Sequence, residues 1–221
     1  MARIAIIGGH GRVALHLARM LTEDGHEVTS LFRNPDHRDE VAATGATPIL
    51  ADFERLSTDE IAAHLAGSHA VVWTAGAGGG DPARTYAVDR DAAIRSMDAA
   101  AEAGVNRYVM VSYIGASVDH GVPEDHSMFA YAEAKAAADE YLRSTALLWT
   151  ILAPSALTHD PGTGLIEAGA EIQGSSVPRE DVARVAVAVL RRPDTAHLFV
   201  PFNAGQTPID EALDALTAGA R

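Results

Sequence analysis

A chain of 221 residues with no cysteine has no disulfide, thiolate nucleophile or Cys-ligated metal open to it, and it is long enough to bury one substantial core. A formal charge of −13 argues against a nucleic-acid backbone as the main partner, because phosphate binding needs clustered Lys and Arg. No apolar run approaches about 18 residues and no charged-then-apolar leader opens the chain, so the expectation is a cytoplasmic protein with no membrane partner.

Ile4-Ala5-Ile6-Ile7 reads as a buried strand that feeds Gly8-Gly9-His10-Gly11-Arg12-Val13-Ala14, and Leu15 to Leu21 continues as a helix. A glycine turn between a strand and a helix is a dinucleotide cradle. Gly8 and Gly11 can bring bare backbone to a pyrophosphate, and Ala14 lets the helix pack closely on the sheet. His10, Arg12 and Val13 share the turn and join Gly8 and Gly11 as candidate cofactor residues. The second expected strand, Val28 to Phe32, ends at Arg33. An NAD-preferring fold usually offers Asp or Glu here for the ribose hydroxyls, whereas a guanidinium suits a 2′-phosphate, so NADP(H) is expected ahead of NAD(H). Arg12 is expected to add charge at the same corner.

Thr47 to Ala51 reads as the third strand, followed by Asp52 and Phe53 and by a helix starting near Ser57 or Thr58. Asp52 is a candidate acceptor for the adenine amino group, with Phe53 against the ring; the alternative for Asp52 is a turn cap. After the fourth strand, Ala70 to Trp73, the small residues Thr74, Ala75 and Gly76 are expected to pass close to the cofactor, and Gly76 to Gly80 to form a mobile lip. A long helix is expected over Tyr86 to Ala103, ended by Gly104. Further strands are expected at Tyr108 to Val111, Thr150 to Leu152 and His197 to Val200, with a helix over Tyr131 to Ser144 and loops at Gly115 to Met128 and Pro154 to Gly164. Apolar β-branched runs alternating with alanine-rich amphipathic stretches define a doubly wound α/β fold with a parallel sheet. No linker divides it, so residues 1–221 are expected to form a single Rossmann domain with a small C-terminal substrate-side region. The His and carboxylate residues of Asp119 to His126 match no compact metal motif, and no metal is expected. His120 or His126 is a candidate to face substrate as that loop folds over the pocket.

The glycine turn, Arg33, Asp52, the stretch Val88-Asp89 through Ser112, and Tyr131-Ala132-Glu133-Ala134-Lys135 together resemble the short-chain dehydrogenase/reductase superfamily over nearly the whole chain. The match is to its atypical NAD(P)H-binding group, which includes NmrA-like proteins and flavin or biliverdin reductase-like enzymes. The resemblance implies that Tyr131 donates the proton in carbonyl reduction, while Lys135 lowers its phenol pKa and binds the nicotinamide ribose. Residues four apart share a helix face, which makes that pairing physically available. It also implies contributions from the end of the fifth strand and from Pro154.

Two positions depart from the superfamily pattern. Where a Ser-Ser pair commonly ends the fifth strand, this chain has Ser112-Tyr113, so Tyr113 takes the position of the serine that hydrogen-bonds a substrate carbonyl. Ala153 stands where relatives often carry Arg before the proline. The leading functional expectation is an NADP(H)-dependent oxidoreductase passing hydride to a small carbonyl, quinone or flavin-like acceptor. The alternatives are a non-catalytic NADP(H)-sensing NmrA-like regulator and a nucleotide-sugar epimerase or dehydratase. The expected partner is a small-molecule substrate, and the expected state is monomer or homodimer.

Overall fold

Alternation along the strands fills two separate cores. In β1 (Arg3–Ile7), Ile4 and Ile6 point to one face of the sheet and Ala5 and Ile7 to the other, as successive side chains of a strand must. Strands β2 (Glu27–Phe32), β3 (Thr47–Leu50), β4 (Ala70–Trp73), β5 (Arg107–Val111) and β6 (Leu148–Pro154) run parallel with it. Val72, Val109 and Leu152 share the core of Ile4, while Val71, Trp73, Tyr108, Met110 and Ile151 share that of Ala5. Both faces are therefore covered, as these parallel strands require. The computed structural model describes residues 1–78 and 80–219; Gly79, within the expected glycine lip, lies outside them.

The remaining strands are β7 (Ala156–Thr158), β8 (Leu165–Ala168), β9 (Ser176–Pro178), β10 (Leu198–Ala204) and β11 (Thr207–Pro208). The main sheet has the order β11-β8-β10-β6-β5-β4-β1-β2-β3, with β8 antiparallel to both its neighbours, and β7 and β9 pair separately. The chain moves outward from β1 to β3 and then returns to lay β4 on the other side of β1. That reversal opens a crevice at the carboxyl ends of β1 and β4, where parallel sheets hold ligands.

The helices are α1 (Arg12–Glu23), α2 (Arg38–Ala42), α3 (Thr58–Leu65), α4 (Pro82–Thr85), α5 (Ala93–Glu102), α6 (Phe129–Ser144), α7 (Arg179–Arg191) and α8 (Ile209–Gly219). Residues of α1, α7 and α8 share the core of Ile4, and residues of α3, α5 and α6 that of Ala5. Buried Val13, Ala14, Leu17, Ala18 and Leu21 form one stripe along α1, which ends at Gly25 (φ +79°), with the His26 N–H donating to Leu21 O. At α3, Ser57 and Glu60 form a reciprocal capping box.

The expected Tyr86 to Ala103 helix is three joined pieces. Between α4 and α5, residues Tyr86–Ala92 wind as a wider π-helix, so the helical stretch begins earlier than expected and is not a regular α-helix. Gly104 (φ +72°) does terminate it, with the Val105 N–H donating to Ala100 O at 2.8 Å. The expected loop from Pro154 to Gly164 is also corrected: Pro154 closes β6, and Ala156–Thr158 pairs with β9. Strand β10 runs on to Ala204 because Pro201 and Phe202 keep register with Ala153 and Pro154.

Candidate functional site

The glycine turn is built by close backbone contacts. The N–H groups of Gly8 and Gly9 both donate to Leu31 O (3.0 and 2.8 Å), and that of Gly11 donates to Gly8 O (2.7 Å). Gly8 has φ +84°, and a Cβ there would lie 2.6 Å from both N and Cα of Ala75. Gly8 therefore lets the ends of β1 and β4 approach each other, and Gly9, which sequence reasoning passed over, does the same against Ser30 of β2, where a Cβ would lie 2.6 Å from the Ser30 Cβ. Among the described residues no side chain caps α1, so the N–H groups of its first turn are left without a side-chain partner at the positive end of the helix dipole.

A cavity of about 300 Å³ extends from this turn and is lined by Gly8, His10, Gly11, Arg33, Asn34, Asp52, Phe53 and Thr74 to Gly76, among others. The cradle that a Cβ would obstruct, the open helix start and this cavity together fit an extended dinucleotide. Thr74 Oγ1 donates to Ile7 O at 2.8 Å, which fixes the crossing from β4. Phe53 packs edge-on against Trp73, its ring centroid 6.4 Å away, and is held through its carbonyl by Arg95 Nη2 at 2.9 Å.

The polar rim differs from the sequence expectations. Asp52 Oδ1 accepts the Glu54 N–H at 3.2 Å, so the carboxylate caps its own turn even though it also lines the cavity. Arg33 Nη1 donates to Glu54 Oε1 (2.5 Å), and Arg84 donates to the same oxygen through Nε (3.2 Å) and Nη2 (3.1 Å). Two guanidinium groups thus share one carboxylate at the end of β2. His10 stacks on His37 with ring centroids 3.4 Å apart and bonds Glu40 through Nε2 at 2.7 Å, lowering the Glu40 carboxyl below its ordinary range. Glu54, Arg84 and His37 carried no signal in the chain because the fold brings them to the rim from separate segments.

Two turn residues are placed away from the expected corner. Arg12 does not join Arg33: its Nη1 lies 2.6 Å from His159 Nε2, on the other side of the glycine turn. Val13 buries its side chain in the core, because its place on α1 faces the sheet, so only its main chain remains for a cofactor contact.

Beyond the end of β5 lies a buried polar array. Tyr131, Lys135 and Asp139 follow at four-residue spacing along α6, and Asp89 comes from the π-helical turn. Lys135 is 1% exposed and donates through Nζ to Val111 O at 2.9 Å. Its ammonium is thus held at the end of β5. Ser112 Oγ donates to Asp139 Oδ2 at 2.6 Å, so its hydroxyl is taken up inside the array and does not face the crevice. Asp139 Oδ1 has no hydrogen-bond partner among the described residues. Asp89 Oδ2 accepts the Ala77 N–H at 2.9 Å, and its other oxygen borders Gly76, where a Cβ would come within 3.3 Å.

Tyr131 and Tyr113 stand together at the mouth of this array, their ring centroids 5.2 Å apart. Gly115 makes room for the Tyr113 ring, since a Cβ there would lie 2.6 Å from Cε2. Burial, followed by the charge of Asp89, the neighbouring Tyr113 and the charge of Asp139, pushes the Tyr131 phenol well above its ordinary pKa. The expected lowering by Lys135 is not found: burial and the neighbouring groups all act in the opposite direction. Burial also raises Asp89 and Asp139, against the opposing charge of Lys135. Asp139 was legible as the next residue on the Tyr131–Lys135 face, whereas Asp89 needed the fold to bring it there.

Pro154 is buried at the end of β6, and its carbonyl accepts the Ile114 N–H at 3.1 Å, joining β6 to the segment that carries Tyr113. His120 bonds Glu133 through Nε2 at 2.9 Å, and its Nδ1 accepts the Val122 N–H; His126 Nδ1 accepts the Met128 N–H. Both histidines secure their own loop to α6 or to itself.

A parallel sheet carrying a glycine turn at its switch point and a Tyr-x-x-x-Lys helix beside it defines a dinucleotide-binding Rossmann protein of the short-chain dehydrogenase/reductase kind. The chain belongs to the NAD(P)H-binding family, whose profile matches residues 8–193. It is 33% identical over 216 residues to the uncharacterized sugar epimerase YhfK of Bacillus subtilis, covering 97% of this chain and all of that one. Among solved structures, a Bacillus halodurans protein provisionally described as an NAD-dependent epimerase/dehydratase aligns with a TM-score of 0.88 and 29% identity, over 97% of this chain and 100% of that one. The oxidoreductase YlbE of Lactococcus lactis aligns at 0.87 and 27%, over 98% and 97%. Among the described residues no helix is long and apolar enough to cross a membrane.

Proposed function

We propose that the protein is an NADP(H)-dependent oxidoreductase that reduces a small carbonyl, quinone or flavin-like acceptor, acting as a monomer or homodimer. The observation that carries this reading is the pair of phenols, Tyr131 and Tyr113, standing with ring centroids 5.2 Å apart at the mouth of the buried array. The cofactor supplies hydride from its nicotinamide. The first turn of α1 would hold the pyrophosphate, and Arg33, with Arg84 behind it, would take the 2′-phosphate as Glu54 is shared between them. Phe53 and Asp52 would border the adenine. Tyr131 gives its proton to the oxygen of a carbonyl or quinone acceptor as that oxygen gains negative charge. Tyr113, in the place of the usual serine, offers a second phenolic donor to the same oxygen. Lys135 balances the two buried carboxylates around Tyr131.

The test is NADPH oxidation by purified protein against aldehydes, quinones and flavins, with Tyr131→Phe alongside. Turnover of a carbonyl that falls at least 10²-fold in Tyr131→Phe supports the assignment. NADPH binding with no oxidation by any acceptor favours the sensing role instead. The names of the Bacillus relatives favour a second reading, epimerisation of a nucleotide sugar. That reaction begins by removing a hydroxyl proton, which calls for a tyrosinate, and a phenol pushed upward in pKa suits the opposite direction of transfer.

A further inference from the structure

A second cleft of about 240 Å³ lies on the far side of the glycine turn and shares no lining residue with the dinucleotide cavity. Arg12, His16 and Arg19 line one wall; their spacing of four and three residues puts them on a single face of α1. Opposite stand His159, in the turn after β7, and Arg179, at the start of α7. Five basic side chains thus converge in a chain whose formal charge is −13.

Among the described residues, Arg12, Arg19 and Arg179 have no carboxylate within 4.0 Å. Eight other arginines, at positions 33, 55, 84, 90, 143, 184, 191 and 192, have a carboxylate within 4.0 Å. Among the described residues Arg12 has only His159, and Arg179 donates to the carbonyls of Leu157 (3.0 Å) and Thr158 (2.8 Å). Two carboxylates reach this cleft. Glu180 is bound to the Gly162 N–H and to Arg184, and Asp160 pairs with none of the arginines. Arg179 lies near enough to Arg12 for the two charges to disfavour each other. Like charges gathered this way attract an anion between them.

We propose that this cleft binds a phosphoryl group, either as free phosphate or as the monoester of a short carbon compound, separately from the cofactor's pyrophosphate. A phosphate dianion matches the geometry of several guanidinium groups, each able to give two parallel N–H bonds. The volume admits a phosphate with a small skeleton and lies below the range of pockets that enclose larger ligands, about 300–1,000 Å³. A ligand here also braces Thr158 to Asp160, the segment a few residues beyond Pro154.

The experiment is calorimetric titration of the full chain, saturated with NADPH, with inorganic phosphate, hexose 6-phosphate and unphosphorylated hexose. Saturable one-site binding of a phosphorylated probe, absent for the hexose, is expected. It should weaken at least tenfold in Arg19→Gln and in His16→Gln, both on the outer face of α1 and each checked by its thermal melt. Tighter binding of free phosphate assigns the cleft to the inorganic anion, and tighter binding of the ester assigns it to a phosphorylated metabolite; either supports the site. Absence of saturable binding, unchanged affinity in folded variants, or phosphate binding that NADPH displaces competitively would each overturn it. The readout is binding alone, so it stands apart from any failure to find a turnover acceptor.

Discussion

Tyr131 was readable from its four-residue spacing to Lys135, but the direction of its pKa shift was not, because that depends first on burial and then on Asp89, which only the fold brings to it. A raised phenol pKa has a kinetic consequence with a definite sign. On the proposed mechanism the acid form is the active one, and it is lost only as pH climbs past the ordinary tyrosine value of about 10. In the reduction direction, kcat/KM for a carbonyl acceptor should therefore show no alkaline decline attributable to Tyr131 below about pH 10. A decline centred between pH 7 and 9 that disappears in Tyr131→Phe would contradict the protonated assignment. Arg33 was equally visible as the residue after β2, while its sharing of Glu54 with Arg84 was hidden. Removing Arg33 leaves Glu54 beside the 2′-phosphate with only Arg84 to offset it. Arg33→Ala should raise the NADPH dissociation constant about 10- to 100-fold, the equivalent of one charge-assisted contact, and leave NADH binding nearly unchanged. Equal losses for both cofactors, measured by fluorescence titration, would refute the 2′-phosphate role.

At the level of elements, the strands of the parallel sheet followed from continuous apolar β-branched runs, and Gly104 and Ser57 marked helix ends that the structure has. The π-helical turn at Tyr86–Ala92 was illegible: its composition suits an α-helix, and the extra residue per turn is visible only once the backbone is built. The short β7, β8 and β9 were missed because three- or four-residue strands carry too little periodicity to register. The glycine turn was found for a partly different reason than the one that makes it necessary. Gly8 and Gly25 both have positive φ, but a Cβ at Gly25 meets nothing within 4 Å, whereas one at Gly8 meets the backbone of Ala75. Gly25→Ala should cost about 1–2 kcal/mol from conformation alone, lowering Tm by roughly 2–8 °C. Gly8→Ala adds a clash that neither strand can relieve without parting β1 from β4, so its loss of Tm should be at least twice as large and NADPH binding should vanish. Similar melting curves for the two variants would show that the close approach does not matter.

Across the whole molecule, the cofactor crevice is made by elements far apart in the chain: the β1 turn, the ends of β2 and β4, and the segment around Glu54. A ligand lying across it contacts segments that an unfolded chain does not hold together, and the dinucleotide is therefore bound by the native state alone. Linkage then fixes the size of the effect, since stabilisation grows as RT ln(1 + [L]/Kd) and reaches about 2.7 kcal/mol at a hundredfold excess over Kd. For a chain of 221 residues each kcal/mol moves Tm by about 2–4 °C, so NADPH at that concentration should raise it by roughly 5–11 °C. NADH at the same concentration should do less, by the margin that the charge at Arg33 and Arg84 gives the 2′-phosphate. Scanning fluorimetry of the wild type and Arg33→Ala, each with both cofactors, separates the two contributions. The NADPH shift in the variant should fall to that of NADH, because what remains is the α1 turn and the adenine wall, which both cofactors share. A variant that keeps the full NADPH advantage would move the 2′-phosphate away from the end of β2 altogether.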